Sequence, residues 1–255
     1  MITESFDESK ALIDPEKAIN DRIVEIAKNY TIDVFIVVFS YKLIDGLVSE
    51  GIIEALDEQL KIGSAAMRSP IYRIKDTNIG VALTGIGAPM AVGTLEELHC
   101  LFDCKKFVVY GSSGALKDIE GGRLIVPSEA YRDEGTSYHY VKASDYITIR
   151  NADKLAEIFD SLDVEYIKGR IWTIDAFYRE TENSRDKRLS DGCLCVDMEC
   201  SALQAVCDFR EMELYQFLYC ADSLDGSWSR RILGNLDMDS RLAYFYLARK
   251  IAEAV

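Results

Sequence analysis

Short runs that are apolar on both faces, each followed by a longer amphipathic stretch, recur through this chain and constrain its fold more than any other feature. Residues 33–39, DVFIVVF, are the first such run. A β-branched segment without polar alternation suits a strand covered on both sides, as in a parallel sheet. Further strands are expected over 79–83, 106–110, 123–127, 170–174, 193–196 and 214–220. Between them, apolar spacing predicts helices over 16–30, 43–60, about 90–104, 153–162, about 199–210 and about 238–254. In the first of these, Ile19, Ile23, Ile26 and Ala27 share one face. Alternating β and α elements joined by short loops imply an α/β fold with a central, mostly parallel mixed sheet flanked by helices. With four prolines in 255 residues and no Pro/Gly/Ser-rich linker, a single domain over 1–255 is expected.

Charge and composition narrow the function classes. The net charge is −14, from 29 basic and 43 acidic residues, with no clustered Lys or Arg. A polyanion would be repelled, so no nucleic-acid partner is expected. The longest apolar run is far shorter than a bilayer span, and no membrane partner is expected. The start MITESFDESK is polar and acidic, unlike a leader, which points to the cytoplasm. Seven cysteines, an odd number scattered through apolar segments, fit buried free thiols in a reducing compartment. His99, Cys100 and Cys104 fall on one helix without a second cluster, so no metal site is expected.

The chemistry-bearing residues stand at the ends of expected strands, where open α/β sheets bind ligands. Thr84-Gly85-Ile86-Gly87-Ala88-Pro89 follows the second strand and reads as a tight turn with free amides for an anion. It lacks the third glycine of a dinucleotide fingerprint and the Gly-Lys-Thr ending of a P-loop. Gly111-Ser112-Ser113-Gly114-Ala115-Leu116 reads as a second turn, its hydroxyls suited to an oxyanion or a sugar hydroxyl. The loop 133–140, DEGTSYHY, is polar and aromatic enough to hold a planar ligand. Asp175-Ala176-Phe177-Tyr178 and Val196-Asp197-Met198-Glu199 each leave a strand, and Asp222 ends the last one. A carboxylate such as Glu199, entering an apolar helix, needs hydrogen-bonding partners.

In this order, Gly85/Gly87, Gly111 to Ala115, the 133–140 loop, Phe177-Tyr178, Met198-Glu199 and Asp222 resemble the nucleoside phosphorylase-I family. That family includes purine and uridine phosphorylases and methylthioadenosine or adenosylhomocysteine nucleosidases, and the resemblance covers about residues 33–225. It implies cleavage of the N-glycosidic bond of a nucleoside, with no cofactor and inorganic phosphate as the candidate co-substrate. Glu199 would accept hydrogen bonds from the ribose hydroxyls, with Met198 packed on the sugar. Phe177 and Tyr178 would meet the base, Val196 would line its pocket, and Ser113 and Gly114 would complete the substrate surface. The Arg179-Glu180-Thr181 stretch would read the base edge. Asp222 would protonate or hydrogen-bond purine N7, which favours a purine over a pyrimidine. Phosphate would fall to Gly87, Ser112 and Arg68, the last in the role of an arginine donated by a neighbouring copy in a homodimer or homohexamer.

The departures concern phosphate. Where the family's phosphorylases carry a Gly-Asp-Pro stretch with an arginine, this chain reads Phe39-Ser40-Tyr41-Lys42, and Val109 stands in place of a second arginine. Phosphate without bidentate arginines lacks its strongest charge-assisted bonds, so water and phosphate both stay open as nucleophile, with Lys42, Arg68 and Arg132 as candidate anion ligands. A catalytically inactive nucleoside sensor of the same fold is the alternative. An unrelated α/β enzyme with Cys193 or Cys220 as nucleophile is a third.

Overall fold

The computed structural model describes residues 1–64 and 68–255. The chain begins with two short helices, α1 (Pro15–Ala18) and α2 (Asp21–Ala27), then β1 (Val34–Val38) and α3 (Tyr41–Ser49). Three-residue strands follow: β2 (Ile53–Ala55), β3 (Lys61–Gly63), β4 (Arg68–Pro70) and β5 (Tyr72–Ile74). Next come β6 (Ile79–Leu83), α4 (Ala88–Phe102) and the long strands β7 (Lys106–Ala115) and β8 (Leu124–Asp133). β9 (Tyr146–Thr148), α5 (Ala152–Ser161), β10 (Tyr166–Ile174) and α6 (Glu182–Ser190) lead to β11 (Cys193–Asp197). The last elements are α7 (Cys200–Phe209), β12 (Glu213–Ser223) and α8 (Met238–Ala254).

β1 shows why a strand in this fold needs no polar alternation. Its even positions, Val34, Ile36 and Val38, pack into one core with Leu43 and Leu47 of α3 and Phe245 of α8. Its odd positions, Phe35 and Val37, pack into a second core with Leu95 and Leu98 of α4 and Val206 of α7. Both faces are therefore covered, and the fold is α/β, a mixed sheet between two helical layers. The strand order is β11-β10-β8-β12-β7-β1-β6-β5-β2, with β1 parallel to both β6 and β7. β7 also pairs with β11 through Cys195↔Ala115 and Val196↔Gly114, so β7, β12, β8, β10 and β11 close into a ring. A small core of Trp172, Ile174, Val196 and Leu224 packs at that closure.

Three expectations from the sequence need correction. The helix over 16–30 is broken: Ile19 is extended, and Asn20 starts α2 by accepting a hydrogen bond from the Arg22 amide. The helix over 43–60 stops at Ser49. Gly51 adopts φ 69°, and the Ile52 and Gly51 amides donate to the Leu47 and Val48 carbonyls, a glycine-terminated stop that turns the chain into β2. The Gly111–Leu116 segment is not a turn but the continuation of β7. Its glycines answer to close packing. A Cβ on Gly114 would stand 2.5 Å from Leu224 and 3.2 Å from Val196, and one on Gly111 would stand 3.2 Å from the Phe39 ring.

Close packing also makes Gly80 of β6 sensitive. A Cβ there would lie 2.2 Å from the ring of Phe35, which is wedged between Phe102 and Phe107. Gly80→Ala is expected to destabilise the protein by about 1–3 kcal/mol through overpacking. A urea midpoint equal to wild type would show that Phe35 yields without strain.

Candidate active site

The carboxyl ends of β1, β7, β11 and β12 converge on one cavity of about 870 Å³. Asp222, Glu199, Phe177, Tyr178, Val196, Met198, Gly114, Ser113 and Ser112 all line it. These residues span more than a hundred positions of chain, and the ring closure of β7 on β11 is what brings Gly114 beside Val196.

Asp222 is aimed by an irregularity. The register between β12 and β7 shifts between Cys220 and Asp222, which turns the carboxylate into the cavity. Burial pushes its carboxyl above the usual range, while the indole N–H of Trp228, donating at 2.9 Å, pulls in the opposite direction. Glu180 lines the same end of the cavity, and burial together with the charge of Asp222 pushes it up to about 7. Two carboxyls in one partly dry site hold protons longer than either would in water. Phe177 and Tyr178 stand at the mouth with ring centroids 4.1 Å apart.

Glu199 sits at the start of α7, 8% exposed. Its Oε1 accepts the Gly87 amide at 2.5 Å, so the Gly85–Gly87 turn orients the carboxylate and leaves that amide engaged rather than free for phosphate. Asp197 lies behind it and accepts from Thr173 Oγ1 and from the amides of Glu199 and Cys200. Burial and the neighbouring Asp197 hold the Glu199 carboxyl well above the ordinary carboxylate range. The three donors on Asp197 make it the member of the pair that carries the charge.

Arg68 stands exposed on β4 outside the cavity, facing Glu97. Arg132 is buried and fully engaged by Ser137, Ser144 and the Lys142 and Val141 carbonyls, and no residue of 133–140 lines the cavity. The loop instead ties itself to β8, through Tyr138 stacked on Arg132, and to the segment after β10, through the Gly135 amide donating to Asp175. Burial pushes the Cys193 thiol up and the Cys220 thiol up to about 11, opposite to the lowered value an activated thiol nucleophile needs. Trp228, Asp197 and Arg241 were not singled out from sequence. Trp228 comes from an irregular loop, Arg241 from a helix more than two hundred residues away from its partner Ser40, and Asp197 only shows as a capping residue once α7 is placed.

The chain matches the family model of the phosphorylase superfamily over residues 46–240. A DeoD-type purine nucleoside phosphorylase of Aliivibrio fischeri is 30% identical over 166 residues, covering 64% of this chain and 67% of that protein. A uridine phosphorylase of Thermococcus kodakarensis is 36% identical over 115 residues, 44% of this chain and 41% of its own length. The crystal structure of a uridine phosphorylase from Vibrio fischeri ES114 superposes with a TM-score of 0.68 over 89% of this chain and 94% of that one, at 24% identity. The chain belongs to the phosphorylase superfamily and is an enzyme of that class. Among the described residues, no helix is long and apolar enough to cross a membrane.

Proposed function

We propose that this enzyme cleaves the N-glycosidic bond of a purine nucleoside. The observation that carries the reading is the placement of Asp222 and Glu199 in one cavity, each with a raised carboxyl and each oriented by its own donor, Trp228 and Gly87. In this reading the base lies between Phe177 and Val196, and the sugar lies on Met198 with its hydroxyls on Glu199. As the bond to C1′ breaks, the electron pair moves onto the base, and the proton of Asp222 meets it at N7. The sugar passes through an oxocarbenium-like state, so positioning and charge stabilisation supply most of the acceleration. The relatives named above, one acting on purine nucleosides and two on uridine, support the nucleoside class. The acid at Asp222 favours purine.

Base release from a panel of purine and pyrimidine nucleosides, with and without inorganic phosphate, tests this. Release from purine nucleosides is expected to exceed release from uridine at equal concentration. Preference for uridine would remove Asp222 from its role, and binding without release from any nucleoside would favour a sensor.

A further inference from the structure

Polar groups continue behind the cavity wall at Glu199. A line of buried side chains runs inward from it: Asp197 at the end of β11, Thr173 in β10, Ser201 in the first turn of α7 and Glu134 just after β8. Thr173 Oγ1 donates to Asp197 Oδ1 at 2.7 Å and accepts the Ser201 amide at 3.2 Å. Ser201 Oγ donates to Glu134 Oε1 at 2.9 Å, and the Ser137 amide donates to Glu134 Oε2 at 2.9 Å. Arg132 closes the line, donating through Nε to Ser137 Oγ at 2.8 Å. Thr173, Ser201 and Glu134 stand outside the cavity wall, so this line serves the site from behind.

The line has a direction. A threonine hydroxyl has one proton, and that of Thr173 is committed to Asp197. The other oxygen of Asp197 takes the amides of Glu199 and Cys200, whose protons are just as fixed. A proton on Asp197 would have to displace one of these donors. Burial pushes the Asp197 carboxyl up, the charge of Glu134 adds to the rise, and the Thr173 bond is the strongest force against it. Glu199 is pushed up by burial, by the charge of Asp197 and by that of Asp175 after β10, with the Gly87 and Met198 amides opposing. The other titratable neighbours are the Cys195 and Cys200 thiols, which burial keeps neutral. Of two neighbouring buried carboxyls one keeps the proton, and the donors on Asp197 leave it to Glu199.

We propose that Thr173 and Asp197 are positioning residues of this enzyme: they hold a fixed negative charge behind Glu199, so that the empty site stores a proton on the sugar-binding carboxyl and must expel it to take a nucleoside. The inference rests on the proposed nucleoside cleavage, with the ribose hydroxyls on Glu199. As the two hydroxyls come in, the proton passes from Glu199 to solvent, and no bond of the nucleoside changes in that step. Sugar capture is then full above the folded value of Glu199 and weakens as pH falls through it. This dependence is separate from the acid at Asp222, which serves the base. Taking the charge from Asp197 lowers the value of Glu199 and carries the acidic limit of capture to lower pH.

Wild type, Asp197→Asn, Thr173→Val and Thr173→Ser are compared in kcat/KM against pH for 7-methylguanosine, whose base leaves without needing a proton. The Glu199 carboxyl is titrated alongside by carbon-13 NMR. Wild type is expected to lose kcat/KM as pH falls through the raised Glu199 value. Asp197→Asn, which can still accept the Glu199 and Cys200 amides, is expected to move that limb to lower pH by about 1–2 units. Thr173→Val is expected to move it about half a unit the same way, because Asp197 without its hydroxyl partner takes part of the proton from Glu199. Thr173→Ser keeps the hydroxyl and should return the limb to its wild-type position. If the valine variant does not fold, Asp197→Asn carries the test. A uniform drop in kcat/KM, with limb and titration unmoved, would reduce the line to a structural strut and overturn the proposal. A wild-type Glu199 that titrates in the ordinary carboxylate range would end it as well. A Glu199 titration that shifts as expected, in a protein that releases no base from any nucleoside, would support the coupling and overturn the proposed reaction instead.

Discussion

Asp222→Asn is expected to lower the turnover of purine nucleosides by about 10²–10⁴-fold, the usual span for loss of a positioned acid. Asparagine keeps the size of the side chain and can still accept the Trp228 indole N–H, so the loop around Trp228 should stay in place. What it cannot do is hand a proton to a departing base. The size of the effect should therefore depend on how much the base needs one. A nucleoside of 7-methylguanine already carries a positive charge on its base and departs as a neutral molecule. Its release should be reduced by no more than about tenfold in the same variant. The pH profile gives a second reading. Burial raises the Asp222 carboxyl and, with the charge of Asp222, pushes Glu180 up to about 7. The pair therefore keeps its working proton at low pH and gives it up as pH rises, so wild-type turnover of unmethylated purine nucleosides should fall on the alkaline side. That alkaline limb should be missing from Asp222→Asn. If the variant turns over guanosine and 7-methylguanosine in the wild-type ratio, Asp222 is not the acid.

How much of this was legible in the sequence depended on the range of the interactions involved. β1, β6, α4, α7 and α8 could be read because their apolar pattern is set by the two faces they bury, and each pattern is local. The outer halves of β7 and β8 could not, since past Tyr110 and Pro127 the chain turns polar or glycine-rich while its pairing partners hold it extended. α6, with sequence ENSRDKRLS, has almost no apolar face; its Thr181 cap and the contact of Arg188 with the Tyr131 ring hold it. The Asp222 end of the candidate site was largely readable, because Met198, Glu199 and Phe177 each follow a strand and Asp222 stands at the end of one. Its orienting groups were not. Gly87 meets Glu199 across 112 positions, and Arg241 meets Ser40 across 201, so only the closed fold discloses them.

Glu199→Gln is the variant in which activity and stability should move in opposite directions. Two ribose hydroxyls donate best to an ionised carboxylate, and a glutamine offers one weaker acceptor and an amide that competes with them. The expected loss in kcat/KM is on the order of 10²-fold or more. The same carboxyl is a liability to the unliganded fold at high pH. Burial and Asp197 raise its folded value above that of the unfolded chain, so the native state binds its proton more tightly. Its contribution to stability is then full below the unfolded value and is lost as pH rises through the folded one. Glutamine carries no charge in either state. Glu199→Gln should match wild type in melting temperature near pH 4 and exceed it near pH 9. Nucleoside binding to wild type at neutral pH should also release a proton, since the sugar hydroxyls select the ionised form; calorimetry in buffers of different ionisation enthalpy reads this directly. A nucleoside lacking both ribose hydroxyls gives the coupling: the penalty of the substitution should largely vanish with it, because the bonds it removes are absent from the start. Undiminished loss on that substrate, or a variant less stable than wild type at pH 9, would mean that Glu199 serves the Gly85–Gly87 turn and not the sugar.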